Sequence, residues 1–86
     1  MNSIFLTVST PDGNVFSGDI YKLSVRGAEG DLAVMPGHIP FVTSVRSGEI
    51  SIENCGGELK KALVGGGILT VGADKVNLLV SSYKES

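Results

Sequence analysis

The chain carries one histidine, His38, and one cysteine, Cys55. Zinc and similar ions need three or four imidazole, thiolate or carboxylate ligands, so a histidine-based metal cluster is excluded. A Ser–His–Asp set can be drawn from His38, Asp31 and the many serines. Such triads are defined by geometry, however, and small domains contain these residue types by chance. A turn histidine with a packing or interface role is the plainer reading. Gly65-Gly66-Gly67 and the pair Gly27 and Gly30 could offer backbone N–H groups to a phosphate. Phosphate loops need a helix N-terminus or a lysine-bearing loop behind them, and no helical segment follows either cluster. Both read better as bends where strands cross closely or switch sheets. Lys75, after Asp74 at a predicted turn, could carry a lipoyl or biotinyl group. Carrier domains display that lysine between two similar halves, whereas only 11 residues follow Lys75. A solvated lysine at the start of a strand is the favoured alternative. No catalytic residue, cofactor or metal is therefore assigned.

The elements that would hold these residues are strands. Ile4, Leu6 and Val8 alternate with Phe5, Thr7 and Ser9, and Tyr21, Leu23 and Val25 alternate with Lys22, Ser24 and Arg26. Pro11-Asp12-Gly13 is a turn, followed by a short strand over 14–17 that Gly18 separates from the next. Further strands are predicted over 31–35, 41–45, 49–53, 58–64, 68–71 and 75–81, with 54–57 as a hairpin loop. Residues 83–86 are polar and expected to fray. No twelve-residue window shows an apolar helical stripe free of glycine and proline. The pattern predicts an all-β fold, an antiparallel β-sandwich of about ten short strands, with residues 1–86 as one domain.

Composition narrows the partners. The formal net charge is −2, and Lys60-Lys61 is the only adjacent basic pair. Nucleic-acid binding requires a concentrated basic face, so none is expected. The uncharged stretches fall short of the ~20 apolar residues a membrane helix needs, so direct membrane insertion is not expected either. Residues 32–45 carry no charge except that available to His38. Alternate residues there must face inward, yet Met35, Ile39 and Phe41 surround two prolines and a glycine. The stretch serves as core or as a partner interface, and the pattern leaves both open.

The run Gly27-Ala28-Glu29-Gly30-Asp31-Leu32-Ala33-Val34-Met35-Pro36-Gly37-His38-Ile39-Pro40 resembles the signature of F-type ATP synthase epsilon subunits, G-x-E-G-[DE]-x-x-[VI]-x-P-G-H-x-P. Val15-Phe16-Ser17-Gly18, Gly65-Gly66-Gly67-Ile68-Leu69-Thr70-Val71 and Lys75-Val76-Asn77-Leu78-Leu79 also resemble family segments, in the same order. The resemblance implies a ten-stranded β-sandwich in the central stalk, contacting the gamma subunit and the membrane ring and having no active site. It implies that Glu29, Gly30 and Asp31 face the polar loops of the ring, and that Thr10, His38 and Thr43 face gamma. It also implies a peripheral location, and the lack of a transit segment favours the cytoplasmic face of a bacterial inner membrane over an organelle. The family usually adds a C-terminal helical hairpin that inhibits hydrolysis, and that role is not assigned to these residues.

Overall fold

The computed structural model describes residues 3–27, 30–37 and 39–85. Ten strands follow in chain order: β1 (Ile4–Thr10), β2 (Gly13–Ile20), β3 (Lys22–Gly27), β4 (Gly30–Val34), β5 (Phe41–Val45), β6 (Gly48–Glu53), β7 (Leu59–Val64), β8 (Gly67–Val71), β9 (Lys75–Val80) and β10 (Tyr83–Glu85). No helix is found among the described residues.

The strands hydrogen-bond in the order β10-β7-β6-β3-β5-β8-β9-β1-β2, with β4 paired to the remaining edge of β3. The ladder folds over at β3. Lys22–Ser24 pair with β6, whereas Gly27 alone pairs with Val45 of β5, beside a hydrogen bond from Arg46 N to Arg26 O of 2.8 Å. One layer is thus β10-β7-β6-β3-β4 and the other is β5-β8-β9-β1-β2. The pairings are antiparallel apart from β1 and β9, which run parallel.

Period-two alternation builds the core. Leu6 and Val8 of β1, Leu23 of β3, Ile50 and Ile52 of β6, Leu69 of β8 and Leu78 of β9 point between the layers and are buried. No polar or charged residue is fully buried among those described. Each such aliphatic side chain contributes about 1.5–3 kcal/mol by leaving water.

Two glycines are required by contact or conformation. A Cβ on Gly67 would lie 1.7 Å from the Leu79 carbonyl oxygen, so β8 and β9 can meet here only without a side chain. Gly57, at φ +90°, closes the β6–β7 hairpin, in which the Asn54 Oδ1 accepts hydrogen bonds from Gly56 N and Glu58 N, each 2.9 Å.

Two expectations change. The strand predicted over 14–17 continues unbroken through Gly18 to Ile20, because Gly18 pairs with Leu6 of β1. Residues 83–85 do not fray: they add β10 to the edge of β7, with Tyr83 packed partly against the core.

Candidate interaction surfaces

The two layers turn unlike faces to solvent. On β10-β7-β6-β3-β4, the outward positions include Lys22, Arg26, Asp31, Glu49, Glu53, Lys61 and Lys84. On β5-β8-β9-β1-β2, one outward row reads Ser44, Ile68, Leu79 and Ser9, and the next reads Val42, Thr70, Asn77 and Thr7. Charge enters only in the third row, with Lys75 and Asp19 on either side of Phe5. Val42 is 67% exposed, Ile68 49% and Leu79 53%. The charged layer also turns Leu59 and Leu63 of β7 outward, so what sets the other face apart is two adjacent rows without a charge, and depletion of charge is a mark of the centre of an interface.

The apolar residues come from local breaks in alternation. Ile68-Leu69 and Leu78-Leu79 are apolar doublets, and in a strand only one member of a doublet can face the core. Leu69 and Leu78 take the inward places, which forces Ile68 and Leu79 outward against each other. A shallow depression of about 370 Å³ includes both, together with Thr10, Pro11 and Gly67.

Of the residues expected to face gamma, Thr10 borders this depression. Its hydroxyl also fastens the β1–β2 turn, accepting from Asp12 N at 3.3 Å and donating to Gly13 O at 3.4 Å. Thr43 is placed differently. It pairs with fully buried Leu69 and shares its inward phase, so it sits half-buried at the rim of the core. Thr10 on β1 and Thr43 on β5 are separated by β8 and β9, roughly 14 Å at ordinary strand spacing. They do not form one outward patch. His38 lies outside the described residues. The neighbouring Ile39 is 80% exposed.

Of the residues expected to face the ring, Glu29 also lies outside the described residues. Gly30 and Asp31 open β4 and are exposed, with Asp31 directly across from Arg26. A shallow cleft of about 380 Å³ brings Arg26, Asp31 and Glu49 together, and the Arg26 stem passes over Gly48. Thr10 and this hairpin share one end of the sandwich, joined by the row Gly27, Val45, Gly67 and Val80. Sequence reasoning named the acidic turn and the threonines but missed Val42, Ile68 and Leu79. The signal for the last two was present in the apolar doublets.

Among the described residues, no group of three or more His, Cys, Asp or Glu side chains could hold a metal ion. Nor, among the described residues, is any helix long and apolar enough to cross a membrane. Lys75 opens β9 within the sheet, between β8 and β1, rather than at a protruding tip.

The family described as the ATP synthase delta/epsilon chain β-sandwich domain matches residues 3–86. The chain is 38% identical over 82 residues to the ATP synthase epsilon chain of Bacillus velezensis, covering 95% of this chain and 61% of that one. It is 39% identical over 80 residues to that of Sulfurihydrogenibium sp., covering 93% and 60%. The chain thus spans less than two thirds of the length of these relatives. In solved structures, its fold matches a chain of the Euglena gracilis mitochondrial ATP synthase OSCP/F1/c-ring assembly, with TM-score 0.93, 22% identity and coverage of 99% and 54%. It also matches a chain of the Tetrahymena thermophila mitochondrial ATP synthase central stalk and c-ring, with TM-score 0.80, 18% identity and coverage of 93% and 64%.

Proposed function

The chain belongs to the ATP synthase delta/epsilon β-sandwich family, and on that footing we propose that it is a non-catalytic rotor element of the central stalk. It binds the gamma subunit and the polar loops of the membrane ring, as one domain over residues 1–86, and helps couple ring rotation to the catalytic head during ATP synthesis. Its place is peripheral, at the cytoplasmic face of a bacterial inner membrane. The observation that carries this reading is the contrast between the two outer faces.

The uncharged face is the gamma-binding surface. Its outward rows offer apolar side chains, hydroxyls and one amide, which a partner can cover without burying an unpaired charge. Thr10 borders that surface directly. Thr43 and His38 are proposed as gamma contacts on the family resemblance alone; Thr43 lies at the rim of the core and is not a member of these outward rows.

The end that carries Gly30 and Asp31, with Glu29 beside them in sequence, is the ring-facing end. The exposed Asp31 carboxylate at the start of β4 suits basic or amide-rich loops and makes an approach sensitive to salt. A rigid sandwich that touches both partners passes torque because its strands are tied by continuous ladders rather than flexible linkers.

The test is reconstitution of the synthase with this chain as its epsilon subunit. Replacing Glu29 and Asp31 together by lysine is expected to lower ATP-driven ion pumping per ATP hydrolysed while the isolated chain keeps its melting temperature. Unchanged coupling would remove the ring assignment, and a melted chain would make the carboxylates structural.

A further inference from the structure

The sandwich is continuous at the β3–β5 fold, but its opposite side is a seam. The two ends of the ladder, β2 and β10, do not pair with each other. A cleft of about 560 Å³ runs there, bordered by Phe16, Asp19, Ile52, Glu58, Lys60 and Glu85. Lys60 spans it. Its ammonium lies 5.5 Å from the centre of the Phe16 ring on β2 and forms an ion pair with Glu85 on β10. One β7 side chain therefore fastens the last strand and covers an aromatic ring of the facing layer.

The strand it fastens is held lightly. β10 has three residues and pairs with β7 alone. Tyr83 packs its partly buried ring against the core, but its hydroxyl is enclosed without a hydrogen-bond partner among the described residues, which subtracts from what the ring contributes. Glu85 is paired at the surface, where water competes for both charges.

We propose that β10 is a strap that opens and closes over this seam, with Lys60 as its clasp between Phe16 and Glu85. When it opens, the edge of β7 and the Phe16 ring become accessible while the rest of the sandwich stays folded.

Hydrogen exchange on the whole chain tests this, because two substitutions should act in opposite directions. Lys60→Gln removes both clasp contacts and should speed exchange of segment 83–85 and its β7 partners by roughly three- to tenfold. Tyr83→Phe removes the unpaired hydroxyl and should slow the same exchange about fivefold or more. The β9 amides should keep their wild-type rates in the first variant. The proposal is overturned if segment 83–85 exchanges only together with β9 in the wild-type chain, or if Tyr83→Phe speeds its exchange.

Discussion

Ile68 stands directly opposite Leu79 across the β8–β9 ladder, and each side chain keeps about half its surface in water. Cross-strand apolar pairs stabilise a sheet modestly. This one lies on the outer face, so on the proposed reading its larger contribution comes when gamma removes the remaining exposure. Replacing either residue by glutamate is expected to change folding stability by about 1 kcal/mol or less. The same change should weaken binding to gamma by about tenfold or more, as for a residue central to an interface. Thermal melting and titration calorimetry check the two effects separately.

Gly67 makes the opposite kind of prediction. Any side chain there meets the Leu79 backbone carbonyl, which cannot rotate away. Gly67→Ala should cost ~3 kcal/mol or more and separate β8 from β9, as overpacking against backbone does. Denaturant unfolding measures the loss. A stable alanine variant would mean that this crossing has room the described geometry lacks.

Leu69, inward and fully buried, tests the core beside it. Leu69→Ala should cost about 2–5 kcal/mol. A change near zero in equilibrium unfolding would place this residue outside the core.

Burial raises the pKa of the Tyr83 phenol, the Glu85 carboxylate adds to the rise, and the Lys60 ammonium opposes it. A folded-state pKa above the unfolded one favours the neutral phenol, so its contribution to stability is complete below the unfolded value of about 10. That contribution is lost as pH rises through the folded value. Lys60 has the same sign, because its hydrogen bond to Glu85 raises the ammonium pKa. Stability should therefore fall on the alkaline side. In a Tyr21→Phe background, phenolate absorbance at alkaline pH reports Tyr83 alone and should appear above about 10. Ionisation at or below that value would contradict the enclosed hydroxyl.

Much of the architecture is legible residue by residue. Ile4, Leu6 and Val8 announce an inward phase, and Asn54 with Gly57 marks the hairpin that forms. Pairing between distant strands is not written locally. Nothing near Phe5 or Lys75 indicates that β1 and β9 lie side by side and parallel, because that contact arises only when the whole ladder closes. β10 is hidden for a related reason: Tyr83-Lys84-Glu85 has the composition of a tail, and the β7 edge makes it a strand. The acidic hairpin could be named from its motif, but an inward phase for Thr43 follows only from its register with Leu69. For that reason a charge at Thr43 is a poor probe of an interface, whereas one at Leu79 is a clean one.

The most direct test of the central claim is a titration of this chain with purified gamma subunit, using Leu79→Glu on the uncharged face and Lys61→Glu on the charged one. The account predicts that the wild-type chain and the Lys61→Glu variant bind alike, while Leu79→Glu loses about tenfold or more. Equal binding by all three, or no binding by the wild-type chain, would contradict it.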